Sequence, residues 1–151
     1  MKIIEGDLLA LARDGEFDVI VHGANCQCTM GAGIAKAIRA TFPQAYEADL
    51  ETEVGDREKL GTISWAKVEG DSGSLIVVNA YTQFHWRGWG VKVDYEALRL
   101  AMREVKREFA GSRIGYPRIG AGLAGGDWAK IEAIIDEELN GEDHTLVVYD
   151  G

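Results

Sequence analysis

A chain of 151 residues has the length of one ordinary domain and can bury a sizeable core. Its 46% hydrophobic and 27% charged residues make a soluble globular composition, with no long disordered tract and no apolar run near the roughly 20 residues that cross a bilayer. A net charge of −9, with sixteen Lys and Arg residues that form no basic run, argues against general nucleic-acid binding.

The first residues, Met1–Asp7, hold no apolar signal core and read at once as a strand over Lys2–Glu5, so the protein is expected in the cytoplasm. A second β-type run covers Asp18–His22. Ile34, Ile38 and Phe42 then recur at helical spacing. Thr62–Val68 and Leu75–Ala80 are further strands, rich in β-branched residues. Tyr95, Leu98, Met102, Val105 and Phe109 form one buried helical stripe, and the strand Arg113–Pro117 follows. Trp128, Ile131, Ile135 and Leu139 repeat the helical pattern before a last strand, Thr145–Tyr149. Strands alternating with amphipathic helices imply a sheet covered on both faces. The expected fold is α/β, a three-layer α/β/α sandwich with a central mixed sheet, spanning 1–151 as a single domain and a monomer.

Ligands in open α/β folds bind where strand ends feed helix N-termini. Two glycine-rich stretches lie at such places, Gly23–Ala35 after the second strand and Arg118–Trp128 after the fifth. Glycine permits close backbone approach, and free N–H groups at a helix start favour anions. Two such loops side by side would grip a diphosphate. Neither has the Lys-Ser/Thr ending of a P-loop, and neither keeps the three-glycine dinucleotide fingerprint. Each could equally be a tight turn alone.

The polar residues around them carry two readings each. Asn25 fixes a ribose hydroxyl or stabilises its own turn. His22 is a catalyst or a satisfied core histidine. Asp127 caps the last helix, orients a water, or does both. Asp7 caps a turn or accepts from an exocyclic amine, and Tyr149 walls a flat ring or packs half-buried. Cys26 and Cys28, one residue apart, read as two free thiols; with no further Cys or His cluster, neither metal nor cofactor is expected. The aromatic stretch Tyr81–Gly90 is a lid over the cleft or a surface packed on something else.

In this order the motifs resemble the macro domains over nearly the whole chain. They are Glu5-Gly6-Asp7-Leu8-Leu9, Asp18-Val19-Ile20-Val21-His22-Gly23-Ala24-Asn25, Met30-Gly31-Ala32-Gly33-Ile34-Ala35 and Pro117-Arg118-Ile119-Gly120-Ala121-Gly122-Leu123. His22 and Asn25-Cys26-Gln27 look like the branch of ADP-ribose 1''-phosphate phosphatases. The second loop also resembles the branch that removes ADP-ribose from acidic side chains, but Gln83 stands where that branch uses a lysine, and glutamine forms no Schiff base.

The resemblance implies ADP-ribose or a derivative as the ligand. Asp7 and the Leu8 backbone would take the adenine, with Tyr149 beside it. Met30, Gly31, Ala32, Gly33 and Ile34 would hold one side of the diphosphate, and Ile119, Gly120, Ala121, Gly122 and Leu123 the other. Asn25 and His22 would face the distal ribose, and Asp127 would prepare a water. The expected reaction is removal of phosphate from ADP-ribose 1''-phosphate. The alternatives are hydrolysis of ADP-ribosyl esters and binding without turnover.

Overall fold

The computed structural model describes residues 1–70, 72–86 and 90–149. Six strands form one mixed sheet: β1 (Lys2–Glu5), β2 (Val19–Asn25), β3 (Ile63–Gly70), β4 (Gly73–Gln83), β5 (Arg113–Tyr116) and β6 (Asp143–Val148). Their order across the sheet is β1-β6-β5-β2-β4-β3, and β3 alone runs antiparallel, as the short hairpin joining it to β4 demands. The helices are α1 (Leu8–Arg13), α2 (Gly33–Thr41), α3 (Pro43–Leu50), α4 (Tyr95–Phe109) and α5 (Trp128–Glu138).

Side chains alternate along the strands and so divide the core into two layers. Val19, Val21, Val78 and Ala80 face Leu98, Met102, Ile131 and Ile135 of α4 and α5. Ile20 and Val77 face the opposite way, onto Leu8, Leu9, Ile38 and Ala45 of α1–α3. The result is the expected three-layer α/β/α sandwich. Among the described residues no helix is long and apolar enough to cross a membrane.

Two helices differ from the sequence reading. The stripe Ile34, Ile38, Phe42 runs out of α2 at its last member: α2 stops at Thr41, Phe42 adopts φ −128° as the junction residue, and Pro43 opens α3. Proline disfavours the helical conformation in the residue before it and suits the first helical position. The short α1 begins directly after Asp7, whose Oδ1 accepts from the N–H groups of Leu9 and Ala10 at 3.0 and 3.2 Å.

The topology fixes where a ligand can lie. The strands β1, β6, β5, β2 and β4 are parallel neighbours, so their C-terminal ends share one edge of the sheet. Along that edge, in order, stand Asp7, Tyr149, the loop at 117–127, the loop at 26–32 and the segment after Gln83. Four strand steps separate the first from the last, about 19 Å at the usual spacing.

Candidate functional site

Asn25 ends β2 and folds the next loop around its own amide. Its Oδ1 accepts from Gln27 N at 2.8 Å and its Nδ2 donates to Thr29 Oγ1 at 2.9 Å. Cys28 (φ +57°) and Met30 (φ +42°) hold left-handed conformations that side-chain-bearing residues rarely adopt. Cys28 is fastened from below: its thiol donates to Asp49 O at 3.1 Å, and Lys59 Nζ donates to its Sγ at 3.4 Å and to Cys26 O at 3.3 Å. The loop then enters α2 at Gly33 (φ +58°). The N-cap is Ala32, which has no polar side chain, so no cap occupies the first N–H groups of the helix. Gly31, Ala32 and Gly33 are exposed, whereas the Met30 side chain is buried in the core and only its backbone reaches the edge.

The loop after β5 is closed by its own backbone. Gly125 N donates to Gly122 O at 3.1 Å and Gly126 N to Gly120 O at 2.7 Å. Gly120 sits at φ +74°. Ile119 and Ala124 point into the core, while Leu123 is 72% exposed. The two loops meet there: a Cβ on Gly33 would stand 3.2 Å from Leu123 Cδ1. Asp127 follows as the N-cap of α5, its Oδ1 accepting from Ala129 N at 3.0 Å and its own N–H donating to Tyr95 Oη at 3.1 Å. Its side chain lies on an exposed residue. At the other end of the row Asp7 and Tyr149 are exposed, and the buried Leu8 side chain leaves only its backbone for a ligand.

His22 is placed elsewhere. It shares its strand face with Ile20, beneath α3, and is fully buried. Its Nε2 donates to Asn79 Oδ1 at 2.6 Å, while Asn79 Nδ2 donates to Ala45 O at 2.9 Å. The expectation that His22 faces the distal ribose does not match this position, because strand alternation turns the ring into the α1–α3 layer and away from the edge. Gln83 donates from Nε2 to His85 O at 3.3 Å, tethering the aromatic stretch. That stretch is described only in part: residues 87–89 of the proposed lid lie outside the described residues.

Sequence reasoning missed the support under the first loop. Lys59, 7% exposed, places its ammonium 4.6 Å from the centre of the Tyr81 ring, and Tyr81 Oη donates to Asp49 Oδ1 at 2.7 Å. Burial pushes the Cys26 thiol up to about 11, so it is a neutral, inert thiol at ordinary pH. Lys59 ends a one-turn 3₁₀ helix, Arg57–Lys59, in which every residue is charged, so no apolar periodicity reveals that it is buried.

Comparison with known proteins bears directly on this arrangement. The family model described as Macro domain matches residues 21–135. The chain belongs to the macro domain family. A 17.5 kDa uncharacterised protein from the tk-vs intergenic region of Enterobacteria phage T4 is 40% identical over 142 residues, covering 90% of this chain and 88% of the phage protein. The ADP-ribose glycohydrolase OARD1 of Bos taurus is 27% identical, covering 97% of this chain and 88% of its own length. The ADP-ribose 1''-phosphate phosphatase of Lodderomyces elongisporus is 24% identical, covering 99% of both. Among solved structures, the macrodomain of Mycobacterium tuberculosis DarG superposes with a TM-score of 0.74 at 23% identity, covering 97% of this chain and 96% of that one. Thermosipho africanus DarTG in complex with ADP-ribose gives 0.73 at 18% identity, covering 99% of this chain and 41% of that one.

The histidine beneath the macro-domain edge also shapes stability. Desolvation by burial holds His22 below the ordinary imidazole range, and His144 is lowered for the same main reason. As pH falls the unfolded chain takes up these protons first, so their contribution is complete above about pH 6.5 and is lost below it. Melting temperature should therefore hold level down to about pH 7 and fall between roughly pH 6.5 and 5. His22→Gln should make that fall shallower. A level profile to pH 5 would contradict a neutral buried ring.

Proposed function

We propose that this macro domain binds an ADP-ribose derivative along the shared strand edge and hydrolyses the bond to a group carried on C1'' of its distal ribose. The observation that carries the reading is the abutment of the two glycine loops, Gly33 against Leu123, with Asp127 closing the second. A diphosphate held there would take N–H groups from the uncapped start of α2 on one side and from Gly120–Leu123 on the other. The adenine would then lie toward Asp7, the Leu8 backbone and Tyr149. The distal ribose would lie toward Asn25, whose amide keeps one hydrogen and one lone pair beyond its two loop bonds.

Asp127 is the base in this reading. Its cap bond occupies one lone pair of Oδ1, and the rest of the carboxylate serves a water aimed at C1''. The C1''–O bond breaks as the water oxygen bonds to C1'', the proton passes to Asp127, and phosphate leaves ADP-ribose 1''-phosphate with the bond electrons. The same attack on an ester or glycosidic linkage accounts for relatives named both as a phosphatase and as a glycohydrolase. No covalent sugar adduct with a lysine is invoked, because the matching position is Gln83. His22 makes no ligand contact and holds Asn79 in place.

Turnover of ADP-ribose 1''-phosphate in ¹⁸O-labelled water tests the route. Attack at C1'' releases phosphate without ¹⁸O, whereas labelled phosphate means attack at phosphorus and rules out Asp127 as the base for a water at C1''. Tight binding with no turnover of any derivative would leave a reader, with Asp127 a helix cap alone.

A further inference from the structure

A chain of net charge −9 repels an anionic ligand, so a cation set close to the diphosphate cradle matters more than composition suggests. Lys59 is buried and places its ammonium directly behind the first glycine loop. We infer that Lys59 is a positioning residue for the diphosphate: it fixes the peptides of the loop with their N–H groups outward and adds its positive charge from behind. The inference rests on the ADP-ribose reading above and deepens it, by naming a source of the affinity for the anion.

Three carbonyl groups of the loop are drawn back onto the protein. Cys26 O accepts from Lys59 Nζ at 3.3 Å and from Gly55 N at 2.7 Å. Cys28 O accepts from Tyr46 Oη at 3.4 Å, and Thr29 O accepts from Arg39 Nη1 at 3.2 Å. The Arg39 guanidinium itself lies 3.9 Å from the centre of the Tyr46 ring. A trans peptide points its N–H opposite to its C=O, so these bonds turn the N–H groups of Gln27, Thr29 and Met30 the other way. The Gln27 N–H follows that rule, meeting Asn25 Oδ1 at 2.8 Å. Cys28 and Met30 supply the left-handed backbone that such turns need, and successive outward N–H groups make an anion-binding concavity. A cation on the carbonyl side polarises the same peptides and strengthens their N–H groups as donors.

The fold leaves the charge of Lys59 for the ligand. Among the described residues Lys59 takes part in no ion pair. Its ammonium meets Cys26 O, Cys28 Sγ and the face of Tyr81, while the Asp49 carboxylate is bonded to Tyr81 Oη instead. A buried ammonium without a counter-ion is costly, and an arriving diphosphate relieves that cost.

Calorimetric titration with ADP-ribose, and turnover of ADP-ribose 1''-phosphate, test the role on Lys59→Met and Tyr81→Phe. Methionine keeps an unbranched stem and removes the charge. Phenylalanine keeps the ring against the ammonium and removes the bond to Asp49. Lys59→Met should weaken ADP-ribose binding and raise KM by about 10-fold, with kcat within about 2-fold of wild type, because the diphosphate is held alike in ground and transition states. Tyr81→Phe should lower the melting temperature yet keep ADP-ribose affinity within about 2-fold of wild type. A third reading needs no variant: the Lys59 ¹⁵Nζ resonance of the wild type should move on saturation with ADP-ribose and stay in place with adenosine. Unchanged affinity in Lys59→Met, equal affinity losses in both variants, or an unmoved Lys59 resonance would overturn the role while leaving the ADP-ribose reading standing. No binding of ADP-ribose by folded wild-type protein would overturn both.

Discussion

Asp127→Asn should lower turnover of ADP-ribose 1''-phosphate by about 100-fold or more while leaving ADP-ribose affinity and thermal stability close to wild type. The choice of asparagine separates two roles that one residue combines. Asparagine caps a helix as well as aspartate does, and its carbonyl oxygen can accept the Ala129 N–H just as Asp127 Oδ1 does at 3.0 Å. What it lacks is a carboxylate that can take a proton from water. Asp127→Ala removes both functions and should additionally cost about 1 kcal/mol of stability. Single-turnover rates, calorimetric binding and thermal unfolding on the two variants give three independent readings. An active Asp127→Asn protein would reduce this residue to a cap and leave the water without a base.

Gly126→Ala should reduce ADP-ribose affinity by about 10-fold and destabilise the fold by roughly 1–3 kcal/mol. An added Cβ would stand 2.6 Å from Val93 Cγ1, 2.7 Å from Gly120 O and 2.8 Å from Ile131 Cδ1. The two side chains can yield a little, but Gly120 O belongs to the backbone of the binding loop and accepts the Gly126 N–H that closes it. Relief therefore has to move Gly120, one of the residues assigned to the diphosphate. Gly141→Ala is the control. It has no atom within 4 Å of the new Cβ, although its φ of +86° also disfavours a side chain, so it should cost stability and leave affinity alone. Similar affinity losses in both variants would mean that the second loop is not a rigid cradle.

Much of this was legible from period and punctuation. The α4 stripe is spaced as a buried helix face should be, and its Leu98, Met102 and Val105 are all in the core. The strands carry β-branched residues that turn to alternate faces. Position along the sheet was less accessible. Glycine loops announce themselves by composition, but only strand order makes them neighbours, and only that order puts the segment after Gln83 beyond Asn25. His22 shows the opposite limit. It precedes a glycine loop in sequence, yet side-chain alternation sends it to the same face as Ile20, away from the edge. Lys59, Asp49 and Tyr81 were invisible for another reason: three residues far apart in sequence form one buried network, and no local pattern records it.

The resemblance read from the loops and the match of the macro-domain family meet in one physical claim, that the two glycine loops hold a diphosphate between an adenine end and a ribose end. Calorimetric titration with ADP-ribose, with AMP as the control, tests that claim most directly. Micromolar binding of ADP-ribose and much weaker binding of AMP is the predicted result, because AMP would reach the Asp7–Tyr149 end without laying a diphosphate against both glycine loops. No measurable binding of ADP-ribose by folded protein would contradict it, and would make both loops no more than tight turns.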